Sequence, residues 1–152
     1  MSFYVSWTIE GDKQLSRVLT RMSTDVKDFR FPLNKIAENL KDLFAGEVFS
    51  SKGAVIGERW PGLKASTIAQ KRRRGFSSEP LVATGAMQAG FRSIVTSDQA
   101  VIYNTQDYFK YHQSNQPRSR LPRRAMMKIA NLQKEMIVKE FQNYIMAHNR
   151  NV

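Results

Sequence analysis

The stretch "SIVTSDQAVIY", Ser93 to Tyr103, decides the fold class. Two β-rich runs, Ser93–Thr96 and Ala100–Tyr103, are split by the polar Ser97-Asp98-Gln99. Such runs around a polar break predict a β-hairpin, here without the Asn-Gly or Asp-Gly that two-residue turns favour. A further strand is predicted at the front of the chain. There Phe3, Val5, Trp7 and Ile9 alternate with Tyr4, Ser6 and Thr8, and a period of two marks a half-buried strand. The remaining periodicity is helical. Leu15, Val18, Leu19, Met22, Val26 and Phe29 form one apolar stripe, and Leu33, Ile36, Ala37, Leu40, Phe44 and Val48 form a second. Pro32 suits the first turn of that second helix. Ala65 to Arg74 predicts a short helix capped by Ser66 or a neighbour, and Thr84 a cap for a helix running through Met87 and Phe91. Met126, Ile129, Ala130, Ile137, Phe141, Tyr144 and Ile145 predict a long C-terminal helix. Gly53–Gly62, Gly75–Pro80 and Ser114–Arg124 have loop composition. The expected fold class is α+β: a small, mostly antiparallel sheet packed with amphipathic helices, the last of them long. At 152 residues, 1–152 form one domain.

Composition narrows the chemistry. The chain has no cysteine, so it has neither a disulfide framework nor a thiolate metal site. His112 and His148, its two histidines, lie far apart in sequence, and no metal or cofactor is expected. Met1-Ser2-Phe3-Tyr4-Val5 lacks the basic start and apolar run of a signal peptide. No apolar stretch approaches the ~20 residues of a membrane span, so no membrane partner is expected. The net charge of +11 is unevenly spread: residues 1–60 hold nine Lys/Arg against eight Asp/Glu, and residues 61–152 hold fifteen against five. A basic half points to an acidic partner, either nucleic acid or an acidic protein surface.

The stretch "GERWPGLKASTIAQKRRRG", Gly57 to Gly75, carries the densest signals. Its front half nearly spells a phosphate-binding loop. That motif needs Lys directly after the second Gly and then Ser or Thr. Here Leu63 follows Gly62, Lys64 comes one place late, and Glu58 puts a negative charge in the cradle. A surface loop with Trp60 tucked into the core fits better. Catalysis is not expected: no serine sits in a nucleophile-elbow sequence, and His112 lacks an evident orienting partner. Lys71, Arg72, Arg73 and Arg74 form one basic cluster, and Arg118, Arg120, Arg123 and Arg124 a second. Both are candidates for assembly or nucleic-acid contact, because arginine clusters neutralise phosphates and carboxylates. The first covers more than a helical turn, so its charges are expected to point all round. The second is expected on a surface loop, because unpaired buried guanidinium groups are costly.

Several landmarks then fall in order. Leu43-Phe44 and Val48-Phe49 end the amphipathic helix. Trp60-Pro61-Gly62-Leu63, Thr67 and Lys71 follow, then Leu81 with Thr84-Gly85, then Tyr111-His112-Gln113, and Pro122-Arg123 before the last helix. Spanning residues 33 to 128, this series resembles the Mu-like phage virion morphogenesis family, which includes tail-completion proteins. Two positions depart from the pattern: Asn115 stands where a glycine usually follows His-Gln, and Ala125-Met126-Met127 replaces an aromatic after Pro-Arg. The resemblance implies a non-enzymatic structural protein of the neck or tail. Such a protein completes the tail or joins it to the head as a homo-oligomeric ring that contacts other neck or tail proteins. It implies location in the virion, with assembly in the host cytoplasm. The alternative is a small basic DNA-binding protein, and non-specific DNA contact is compatible with both.

Overall fold

In a computed structural model, described for residues 4–6, 28–116, 118 and 120–149, the hairpin forms where the two β-rich runs place it. In chain order the elements are β1 (Tyr4–Ser6), α1 (Arg30–Ala45), α2 (Glu47–Ser50), a 3₁₀ turn (Ala54–Ile56), α3 (Ala65–Arg73), α4 (Ala86–Ala89), β2 (Phe91–Val95), β3 (Ala100–Asn104), α5 (Phe109–Gln113) and α6 (Asn131–Asn149). The sheet order is β1-β3-β2, with both pairs antiparallel. The fold is therefore α+β, as the hairpin and the helical stripes require. Of the N-terminal expectations, Val5 lies in β1. Phe3, Trp7, Ile9 and the helical stripe from Leu15 to Val26 fall outside the described residues.

The hairpin closes without a left-handed turn residue. Register pairs Val95 with Ala100, leaving Thr96 to Gln99 as the turn. The Thr96 backbone N–H donates to the Gln99 carbonyl at 2.8 Å, and the Gln99 N–H donates to the Thr96 hydroxyl at 3.2 Å. That hydroxyl in turn donates to Asp98 Oδ1 at 2.9 Å. Threonine and aspartate side chains thus do locally what a positive-φ glycine does in tighter hairpins.

One face of the hairpin lies on α1. The helix buries Leu33, Ile36, Ala37, Leu40 and Phe44, the stripe that its spacing predicts, against Ile102, Phe91 and Ala100. Each large side chain fully buried there contributes about 1.5–3 kcal/mol. Pro32 sits in the first turn, where its missing donor costs nothing. The helix stops at Gly46 and restarts as α2, which buries Val48 and Phe49. Helix α6 packs beside α1: Phe141 meets Phe29 edge-on at 5.8 Å, and Lys35 pairs with Glu140 at 2.8 Å. An aromatic chain runs through the core, from Trp60 to Phe49 (5.3 Å), Phe91 (6.5 Å) and Phe109 (5.8 Å).

Three boundaries differ from expectation. Ser66 does not cap α3: Lys64 occupies the cap position with extended backbone and no side-chain bond. Thr84 does not cap α4, whose cap position is Gly85 with no side-chain bond, and Phe91 is not helical, because α4 ends at Ala89 and Phe91 opens β2 as a core residue. Met126, Ile129 and Ala130 are not in the last helix, which begins at Asn131. They belong to an irregular segment whose Ala125, Met126 and Met127 are all buried. Three adjacent buried residues cannot lie on one helical stripe.

Candidate functional site

The 53–62 loop is the first wall of the site. Gly53 has φ +80, and a Cβ there would lie 2.1 Å from the Glu58 carbonyl oxygen, so glycine is required. Around it the Glu58 N–H donates to the Gly53 carbonyl at 2.9 Å, and the Trp60 N–H to the Lys52 carbonyl at 2.7 Å. This folds Trp60 inward to 6% exposure, where its Nε1–H donates to the Ala125 carbonyl at 2.7 Å. Glu58, a misplaced charge in any phosphate cradle, instead accepts from Arg123 and Lys128, both at 2.8 Å. Those partners hold its carboxyl below the usual range, the Lys128 hydrogen bond most strongly.

The second wall is the 111–127 segment. Gln113 grips it as a backbone mimic: its Oε1 accepts from the N–H groups of Met126 (2.9 Å) and Met127 (3.1 Å), and its Nε2 donates to the Met127 carbonyl at 2.7 Å. The Arg124 N–H donates to the His112 carbonyl at 3.0 Å. The Arg124 side chain is not on the surface, as a basic loop leads one to expect, but 4% exposed. Its burial is tolerated because Nε donates to the Pro61 carbonyl at 3.0 Å and Nη2 to the Gly62 carbonyl at 3.1 Å. A guanidinium with two of its donors paired escapes part of the penalty of an unpaired one. Arg123 is half-buried against Glu58. Two of the four loop arginines therefore belong to the fold. Arg118 and Arg120 remain exposed, with Arg118 4.5 Å over the Tyr111 ring.

Between these walls, α3 and the 76–87 loop lies an open groove of about 1210 Å³. Lys64, Lys71, Arg74, Arg118, Arg120 and Arg124 line it together with His112, and among the described residues no carboxylate does. Lys71 turns inward and donates to the carbonyls of Val82 (2.8 Å) and Glu79, pinning the loop to α3. Burial lowers its pKa most; the nearby Glu79 carboxylate offsets part of this, and Arg124 adds to the lowering. His112 is likewise lowered, by burial first and then by Arg124 and Arg118. Its Nδ1 is buried without a partner among the described residues. Asn104 fixes the far wall: its Nδ2 donates to the Met87 carbonyl at 2.7 Å.

The two basic clusters therefore meet, but only in part. Arg74, Arg118, Arg120, Arg124 and the inward Lys71 share the groove; Arg72 and Arg73 are exposed outside it, and Arg123 faces Glu58. Leu63, Thr67, Thr84, Gly85, His112 and Pro122 line the groove as well, while Trp60 and Gln113 stand behind it as supports. Sequence reasoning missed Lys64, although its spacing was readable: Lys64, Thr67, Lys71 and Arg74 recur at helical intervals and form one face. The charges of α3 therefore do not simply point all round. Among the described residues, the non-glycine residues with positive φ are Lys52 and Leu81, so Asn115 does not use the left-handed conformation available to it. Among the described residues no group of three or more His, Asp or Glu could hold a metal, and no helix is long and apolar enough to cross a membrane.

No curated protein and no solved structure is significantly similar to the chain. The model of the phage virion morphogenesis family matches residues 11–146, which contain every landmark of the groove, and the chain belongs to that family.

Proposed function

We propose that this phage assembly protein works in the neck or tail of the virion, completing the tail or joining it to the head as a homo-oligomeric ring. One observation carries the proposal: landmarks scattered over residues 61–124 converge on one groove lined by six cations and, among the described residues, no carboxylate. That surface is suited to binding acidic groups on a neighbouring protein, and catalysis has no part in it. A stable contact of this kind buries about 1,000 Å² or more. Complementation of a phage lacking the protein tests it. Arg118→Ser with Arg120→Ser should leave the protein folded and yield unjoined heads and tails by electron microscopy. Normal infectious particles from that variant would refute the groove's role.

The same cations favour contact with DNA phosphates as a second reading. Duplex DNA binding should then be weak, without sequence preference, and fall steeply with salt. A tight, sequence-selective complex at physiological salt would make the protein a DNA-binding regulator instead.

A further inference from the structure

A second groove, of about 780 Å³, lies between α1 and α6 and shares no residue with the basic one. Asp42, Glu47, Glu135 and Glu140 line it, against Lys139 as its cation among the described residues. Glu140 is engaged by Lys35. Asp42, Glu47 and Glu135 make no ion pair among the described residues. The groove also carries apolar surface from Leu43, Val55, Met136 and Leu132, the last 67% exposed. The basic groove offers the counterpart: Arg74, Arg118 and Arg120 around Leu121, Phe76 and Tyr108, the last two 36% and 42% exposed. The two surfaces therefore match in charge, in apolar content and in order of size.

Resting on the ring reading above, we propose that the acidic groove of one copy receives the basic groove's rim of the next. Like charge disfavours either groove pairing with itself, which would close a twofold dimer. Pairing two different, non-overlapping surfaces leaves each copy with one free face of each kind. Such head-to-tail contacts continue until they close a ring or extend a filament.

Charge reversal on full-length protein, read by native mass spectrometry and light scattering, tests the pairing. One variant carries Arg74→Glu, Arg118→Glu and Arg120→Glu; the other carries Asp42→Lys, Glu47→Lys and Glu135→Lys. Circular dichroism and thermal melting should show both folded, since these side chains are exposed. Wild type should self-associate, less so as salt rises. Each variant alone should lose affinity for itself by about 100-fold or more. Mixed, the two should associate again, because the intact faces still match and the two reversed faces now match each other in charge. Wild type that stays monomeric at ~100 μM, variants that assemble like wild type, or a mixture that stays monomeric would each overturn the proposal. Should the basic-groove variant still fail in phage complementation after such a result, the neck or tail function stands and the groove's partner is another protein. Should that variant instead lose only DNA retention, the groove is a nucleic-acid surface and both proposals fall.

Discussion

Trp60→Ala probes the link between the two walls of the basic groove. The ring is 6% exposed, meets Phe49 edge-on at 5.3 Å, and donates to the Ala125 carbonyl at 2.7 Å. Removing a buried aromatic ring costs about 3–5 kcal/mol. The Ala125 carbonyl then loses its partner in a residue that is 1% exposed. An orphaned buried acceptor costs a further ~1–3 kcal/mol, less whatever a water entering the new cavity restores. We expect a total of about 4–6 kcal/mol, a large share of the 5–15 kcal/mol that holds a domain of this size. Trp60→Phe keeps most of the ring and loses only the donor, and should cost about 1–3 kcal/mol. Urea unfolding followed by far-UV circular dichroism is the assay, since it does not depend on the tryptophan being removed. A loss below ~0.5 kcal/mol for Trp60→Ala, the range of ordinary surface changes, would refute the anchoring role.

Arg124→Ala should cost about 1.5–3 kcal/mol because it strips charged donors from two carbonyls, whereas Arg118→Ser with Arg120→Ser should stay within ~1 kcal/mol; equal losses in thermal melts would contradict the division between folded and exposed arginines. Glu58 has its folded pKa depressed, so its contribution is present above 4.5 and disappears as pH falls from there through the folded value. Glu58→Gln should therefore flatten the acid limb of a melting-temperature profile, and an unchanged limb would count against the Lys128 and Arg123 pairing. Burial depresses His112 too, so the fold resists its protonation, and stability falls as pH drops below 6.5 toward the folded value. In His112→Gln that slope should vanish; if it persists, another group titrates there.

The parts of the fold written in local periodicity were readable. Leu33 to Phe44 repeat at helical spacing because α1 has one buried face, and the runs of β2 and β3 flank a polar turn. Other features depend on partners far away in sequence. Nothing near Met126 says that it leaves the helical pattern; the cause is Gln113, whose side-chain amide satisfies the backbone that a helix would otherwise pair internally. Nor does a run of arginines reveal that Arg124 is buried, since the carbonyls that satisfy it belong to Pro61 and Gly62. The groove was half legible: its landmarks could be quoted in order, but the separation of Arg72 and Arg73 from Arg74 required the helix phase, which Lys64 and Thr67 supplied unread.

The bonds from Glu58, Trp60, Pro61 and Gly62 to Arg123, Arg124, Ala125 and Lys128 span 62 to 70 positions along the chain. Closing so long a loop costs entropy before any of those bonds returns enthalpy, so contacts of this separation form late in folding. The β2–β3 hairpin and helix α1 each close only short loops and can form first as separate elements, leaving Ala125, Met126 and Met127 uncovered until the 53–62 loop docks. Substitutions at Trp60 or Arg124 should then accelerate unfolding while refolding rates stay near wild type. Until docking, the newly made chain lacks two walls of the basic groove, and the rate of that last step sets when the groove exists.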